Sequence, residues 1–377
     1  MRDQVHAPNR HDDLGANIAG TLFLAPNGKR ADHPLMPGVI QTTSYGPISF
    51  AEALQRTASR PRYLLLGNGF SIGVHSAFGY ASLYDDAVHR DPSLRPLFLA
   101  ENPNFEVALQ RCLTPDDEAR LKKGLIRAVA AVHPEHSLSL TEEQCISCRN
   151  FLEHFVGRNR SPAGVVFTTN YDMLLHWVLS RQGKNAGTKQ RSQIKCWDGF
   201  KANGEWSVGD AQAYYLHGAV HIYEFPEHRF PERTYTKMLR YEWGRPLLRQ
   251  VDSLLRDGRF PIFIAEGDSQ RKQARQRGEY LRAARLKYRN VCRNPAVTLF
   301  SFGHSFGPSD DHIADHIGNG ALRDVFLGTF SDEDRHRTEA LWSRWNEQRR
   351  ALGAPGVNVY WFDSAECEVW TAQERAA

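Results

Sequence analysis

Asn170, Asp172 and His217 are the residues of this 377-residue chain best suited to chemistry. Asn170 and Asp172 lie in Thr168-Thr169-Asn170-Tyr171-Asp172, directly after the apolar run Gly164-Val165-Val166-Phe167. His217 lies in Leu216-His217-Gly218, directly after Ala213-Tyr214-Tyr215. Short β-branched or aromatic runs of this kind predict buried strands. Polar residues at the carboxyl ends of strands are where open α/β sheets bind ligands. An amide, a carboxylate and an imidazole gathered over one sheet edge can bind a ribose, orient a water and move a proton. Plainer readings stay open. Asn170 also suits a turn, and Asp172 suits a helix cap. His217 is one of sixteen histidines, and His221 follows four residues on.

Two glycine-bearing segments follow further apolar runs. Arg62-Tyr63-Leu64-Leu65-Leu66 leads into Gly67-Asn68-Gly69-Phe70-Ser71-Ile72-Gly73. Glycines just after a strand let the backbone turn tightly and approach a phosphate, whose charge backbone N–H groups can meet. Alone, the spacing also fits an ordinary strand-to-helix turn. The second run, Thr298-Leu299-Phe300-Ser301-Phe302, leads into Gly303-His304-Ser305-Phe306 and then Asp310-Asp311-His312-Ile313. A helix is expected soon after, with Ser309 or Asp310 near its N-cap.

These four pieces, in this order, resemble the sirtuin-like superfamily, and more closely its bacterial NAD-consuming branch, which includes Thoeris-type and related anti-phage defence effectors. The Gly-rich loop is matched by Gly67, Gly69 and Ser71, the T-x-N-x-D motif by Thr168, Asn170 and Asp172, and the H-G pair by His217 and Gly218. The late G-x-S and D-x-H-I motifs are matched by Gly303, Ser305, Asp310, His312 and Ile313. Two residues within Gly307-Pro308-Ser309 lengthen the gap before Asp310 relative to the family pattern.

The resemblance implies an NAD hydrolase that cleaves the nicotinamide–ribose bond and serves in defence by depleting NAD. The alternative is a non-catalytic sensor of NAD, ADP-ribose or a related nucleotide. Asn170 would hold a ribose hydroxyl or the attacking water. His217 would act as general base, a role suited to the ordinary imidazole pKa near ~6.5. Asp172 would orient nicotinamide or steady positive charge. Gly67, Asn68, Gly69, Phe70, Ser71, Thr168, Thr169, Gly218, Gly303, Ser305 and Asp310 would hold the dinucleotide. NAD enters as substrate, and no metal is expected. Sirtuin deacylases carry a four-cysteine zinc module after the H-G pair, whereas this chain has no cysteine between Gly218 and Phe260. A deacylase is therefore disfavoured.

Composition sets the outer bounds. Hydrophobic residues make up 41% and charged residues 24%, which suits an ordinary globular chain. No apolar stretch reaches membrane-spanning length, and no signal peptide is evident, so a cytoplasmic protein is expected. A net charge of +4 is too small to imply a nucleic-acid partner. A homo-oligomer and an unidentified activating partner or ligand are expected. Basic residues dominate 269–293, where Tyr280, Leu281, Ala284, Tyr288 and Val291 form a helical apolar stripe. This reads as a surface helix with a solvated basic face, or as an interface. Cys145 and Cys148 fall in a helix announced by Thr141-Glu142-Glu143-Gln144, and read as packing residues.

The elements that must position these residues alternate along the chain. The pattern predicts an α/β, Rossmann-like, mainly parallel sheet of about six strands with helices on both faces. Residues 1–46 read as an N-terminal extension and 47–377 as the sirtuin-like domain. A helical insertion at about 76–160 exceeds what one crossover needs and could cover the cleft. Phe260-Pro261-Ile262-Phe263-Ile264-Ala265 and Val357–Phe362 are further expected strands, and a hairpin is expected around Asn203-Gly204.

Overall fold

A computed structural model describes residues 44–45, 47–100, 102–135, 139–157, 162–180, 183–184, 191–192, 196–201, 206, 211–226, 233–237, 246–265 and 278–370. The strands among them are β1 (Ser44–Tyr45), β2 (Arg62–Leu66), β3 (Val166–Thr168), β4 (Gly183–Lys184), β5 (Arg191–Ser192), β6 (Ala213–Tyr215), β7 (Gly218–Pro226), β8 (Arg233–Lys237), β9 (Pro261–Phe263), β10 (Thr298–Phe302), β11 (Asp324–Thr329) and β12 (Asn358–Asp363). Seven of them form one sheet in the order β1-β12-β11-β10-β2-β3-β6. Every pairing in that sheet is parallel.

The central strands are apolar at nearly every position because both faces of the sheet are covered. Alternate side chains enter two separate cores. Leu64, Leu66, Phe300 and Phe302 pack with Phe50, Phe151 and Leu174, from the helices Phe50–Arg56, Glu142–Glu153 and Leu174–Ser180. Leu65, Phe167, Leu299 and Leu327 pack with Tyr288, Ile313 and Trp345, from the helices Glu279–Cys292, Asp311–Gly318 and Asp332–Ala351. Truncating one such side chain, as in Leu65→Ala, is expected to cost about 2–5 kcal/mol. The fold is therefore Rossmann-like α/β.

The chain order defines where a ligand can enter. From β2 the sheet grows through β3 to β6 on one side. It then restarts at β10, on the other side of β2, and grows through β11 to β12. The strand order thus reverses between β2 and β10. In open α/β sheets the crevice beyond the carboxyl ends at such a switch point is the ligand site.

Between β2 and β3, over the stretch read from sequence as a helical insertion, lie the helices Tyr80–Arg90, Phe105–Arg111, Pro115–Val132 and Glu142–Glu153. Side chains cap three of them. Asn104 accepts from Glu106 N–H, Thr114 from Asp117 N–H, and Thr141 with Gln144 forms a reciprocal capping box at 3.1 and 2.9 Å. Pro92–Leu97 is a 3₁₀ segment, in keeping with Pro96, which has no N–H to donate. Cys145 and Cys148 are buried within their helix.

Several elements differ from expectation. The Phe260–Ala265 run does form a strand, β9, but outside the main sheet. It pairs antiparallel with β7, which also pairs antiparallel with β8. Gly218, at φ +74°, turns the chain out of β6 into β7, and a Cβ there would lie 2.0 Å from Ile262 O. The chain therefore leaves the parallel sheet at His217. β11 was not expected, and it completes the sheet between β10 and β12. Ser44–Tyr45, assigned from sequence to the extension, pairs with Val359–Tyr360 at the sheet edge. The remainder of 1–46 lies outside the described residues, as do 269–277 of the basic segment and most of the expected hairpin. Of that hairpin an antiparallel bridge between Phe200 and Trp206 is described.

Candidate functional site

The two glycine loops at the switch point are locked to each other. Gly67 N–H donates to Phe302 O at 3.0 Å, and Gly69 N–H donates to Gly303 O at 2.9 Å. A Cβ on Gly67 would sit 2.4 Å from His304 Cα, and one on Gly69 would sit 2.6 Å from Gly303 Cα. Gly303 has φ +63°. Close backbone approach thus accounts for these glycines without any ligand. Phe70 is buried beside Trp370, whose indole N–H donates to Phe70 O at 2.8 Å.

Ser71 ties this loop to the second motif. Asn170 Nδ2–H donates to Ser71 Oγ at 2.8 Å, and Ser71 O–H donates to the Asp172 carboxylate. Thr168 Oγ1 accepts from Asn170 N–H at 3.0 Å, and Asp172 Oδ1 accepts from Leu174 N–H at 2.8 Å. Asp172 therefore caps the helix Leu174–Ser180 and also faces the pocket. Burial pushes its carboxyl pKa up, while the bonds from Ser71 and Leu174 oppose that shift.

His217 stands at the end of β6 and is 1% exposed. Its backbone is held on both sides: Leu216 N–H donates to Thr168 O and Ile264 N–H to His217 O, each at 2.8 Å. Its Nε2 lies 3.0 Å from His312 Nε2 and 3.8 Å from Asp310 Oδ1. The two imidazoles stack with centroids 5.1 Å apart. His304 Nδ1 accepts from Phe306 N–H at 3.0 Å, which puts its proton on Nε2, 3.7 Å from Asp310 Oδ2. The lengthened gap before Asp310 folds as one 3₁₀ turn, Pro308–Asp310, with Asp310 N–H donating to Gly307 O at 2.8 Å. That turn returns the carboxylate to the histidines.

These groups surround a cavity of about 250 Å³. Of the residues singled out from sequence, Gly67, Asn68, Gly69, Thr169, Asn170, Asp172, His217, Gly303, Ser305 and Asp310 line it. Phe70, Ser71, Thr168 and Gly218 do not; they anchor, bridge or turn the segments that do. His221 is buried instead against His176 and Tyr215, with ring centroids 4.7 and 5.0 Å away. Sequence reasoning expected the insertion to cover the cleft but did not name Phe78, Tyr80, Leu83, Phe105, Glu106, Leu125 or Val129 as lining it, and gave no role to His304 or Tyr171. His304 and Tyr171 sat inside quoted motifs and were legible there. The insertion residues carry no local signal, because helix packing alone brings them to the cleft.

Fold and site together define an α/β protein with a pocket at the switch point of a parallel sheet, lined by polar motif residues on one side and apolar helix residues on the other. Residues 100–370 match the family described as a domain of unknown function, DUF4917, and the chain belongs to that family. A comparison with curated proteins finds no match. Among solved structures, a Sir2 homologue–NAD complex aligns over 82% of this chain and 98% of its own, at 12% identity and a TM-score of 0.36. A structure reported on the mechanism and regulation of Sir2 enzymes aligns over 80% and 97%, at 10% identity and a TM-score of 0.33. Likenesses this remote carry no functional argument.

Proposed function

We propose that this chain hydrolyses NAD at the nicotinamide–ribose bond, releasing nicotinamide, ADP-ribose and a proton. One observation carries the reading: Asn170, Asp172 and His217 converge on one pocket with both glycine loops, in the motif order of NAD-consuming sirtuin-like proteins. A cavity of about 250 Å³ is smaller than the ~300–1,000 Å³ that encloses a whole drug-sized ligand, so it suits one end of a dinucleotide.

Each residue then has a chemical task. As the glycosidic bond lengthens, positive charge develops on the ribose. Asp172 faces that charge as a carboxylate. The Asn170 amide, already fixed by Ser71, orients the water or a ribose hydroxyl. His217 takes a proton from the attacking water, with His312 Nε2 and Asp310 at 3.0 and 3.8 Å to share it. Depletion of NAD in anti-phage defence is the biological role that the motif resemblance supports.

The test is incubation of purified protein with NAD, with nicotinamide and ADP-ribose quantified by chromatography. Release of both in equal amounts is expected. NAD binding without release, with and without cell-derived activators, would sink the hydrolase reading and favour a nucleotide sensor.

A further inference from the structure

We infer that His217, His312 and Asp310 form a binding site for a borderline first-row divalent cation of the zinc type, and that its occupancy shuts off the chemistry proposed for His217. The donor atoms of the three side chains lie within 4.8 Å of one another, and both imidazoles are buried. They come from two separate parts of the chain: His217 just past β6, and Asp310 and His312 from the 3₁₀ turn and the first turn of the helix Asp311–Gly318.

The geometry suits a shared ion. Zinc–imidazole bonds are ~2.0–2.1 Å, so two Nε2 atoms 3.0 Å apart subtend about 95° at a common metal. Opening that pair by a few tenths of an ångström reaches the tetrahedral angle. Bonds of ~2.1 Å span ligands up to ~4.2 Å apart. The Asp310 carboxylate, at the end of a short turn, already lies 3.8 Å from His217 Nε2, within that span. Two imidazoles and one carboxylate leave a further coordination position open toward the pocket, which His217 and Asp310 both line. The donor set favours zinc-like ions over magnesium or calcium, which prefer all-oxygen ligands.

The consequence for His217 follows from its lone pairs. Without metal, two Nε2 atoms at 3.0 Å share one proton, one ring donating and the other accepting. A bound cation displaces that proton and takes both lone pairs. A neutral imidazole ligated through Nε2 carries its own proton on Nδ1, so metal-bound His217 has no lone pair left with which to accept a proton from water. This regulatory part rests on the hydrolase reading; the binding part does not.

The probe is Zn²⁺, added to metal-stripped full-length protein. Competition with a chromogenic chelator is expected to give one zinc per chain. His217→Ala and His312→Ala should each weaken it by at least about tenfold, since even outer-shell changes cost 10–100-fold. His316→Ala, on the same helix but outside the cluster, should bind as the parent does. Thermal melts without zinc check folding, and Asp310→Asn replaces any histidine variant that fails to fold. Equal zinc affinity in parent and cluster variants overturns the site. In the NAD assay, zinc should suppress cleavage and EDTA should restore it. Cleavage that persists with the site saturated overturns the regulatory role. If zinc binds at one per chain but no cleavage occurs in EDTA, the hydrolase reading fails while the metal site stands.

Discussion

The imidazole of His133 accepts a hydrogen bond from the backbone N–H of Met173 at 3.1 Å. His133 ends the helix Pro115–Val132 of the insertion, and Met173 directly follows Asp172. Its Nδ1–H donates to Pro134 O at 3.1 Å, and its ring meets Trp177 edge-on with centroids 4.3 Å apart. One neutral tautomer therefore satisfies both partners and pins the insertion to the loop that carries Asn170 and Asp172. Protonation of Nε2 would break that tie.

Burial lowers the His133 pKa to about 4. The sign follows from proton binding. Between the unfolded value near ~6.5 and about 4, the unfolded chain takes up a proton that the native state refuses. Stability should thus fall as pH drops through that window, by about 3 kcal/mol in total, and level off below it. Urea unfolding at pH 7 and pH 4.5 should show this loss in the parent and a smaller one in His133→Gln. Parallel pH dependence in the two proteins would remove His133 as the cause.

The two glycine loops supply a second test. A Cβ on Gly303 would meet Gly69 Cα and Phe70 N at 2.7 Å, all backbone, and the residue has φ +63°. Gly303→Ala should therefore cost both the left-handed strain of about 1–2 kcal/mol and an overpacking cost of about 1–3 kcal/mol. Gly353, at φ +65° with nothing within 4 Å, isolates the first of these. Gly353→Ala should be the milder change in urea unfolding. Equal losses would mean that loop-to-loop contact contributes nothing.

How much of this was legible in sequence depended on whether the signal was local. Leu64–Leu66 is an unbroken apolar run and Leu299–Phe302 is broken only by Ser301, because helices cover both faces, so their strands stood out. Asn170 and His217 stood out as polar groups just behind such runs. β11 did not, since Asp324 and Gly328 interrupt its pattern, yet parallel pairing to both neighbours holds it. β9 looked like a sheet strand because an apolar run does not say which partner it meets; the Gly218 turn decides that. Phe105, Glu106 and Val129 reach the pocket only through helix packing, which no short window of sequence records.

The helix Glu279–Cys292 connects to the site through Tyr280, whose hydroxyl accepts from Tyr215 N–H at 3.1 Å, two residues before His217. Tyr280→Phe leaves a buried N–H without its partner, at a cost of about 1–3 kcal/mol. It should lower thermal stability and reduce the rate of NAD cleavage more than it alters KM, through displacement of His217. Arg282→Glu, on the exposed face of the same helix, should change neither, because exposed charges are screened beyond ~10 Å. A loss of NAD binding in Arg282→Glu would instead make the basic face part of the site.

The sharpest test of the hydrolase reading removes the amide and the imidazole separately. His217→Ala and Asn170→Ala should each lower NAD cleavage by about 10²–10⁴-fold, the usual contribution of a positioned acid–base group. Their effects should differ elsewhere. Asn170 holds Ser71 Oγ at 2.8 Å, and Ser71 in turn holds Asp172, so Asn170→Ala also loosens the carboxylate. Ser71→Ala should therefore reproduce part of the Asn170 defect without touching the pocket wall, and should leave the His217-dependent pH profile in place. His217 meets the second motif at Tyr171, with ring centroids 6.3 Å apart, so its loss should abolish that profile and spare the Asn170–Ser71–Asp172 link. Rates are compared in metal-free protein, with and without cell-derived activators. Full cleavage by a folded His217→Ala protein under those conditions would refute the proposed role of the imidazole. A Ser71→Ala protein with parental activity would show that the buried bridge between the glycine loop and the second motif is structural only.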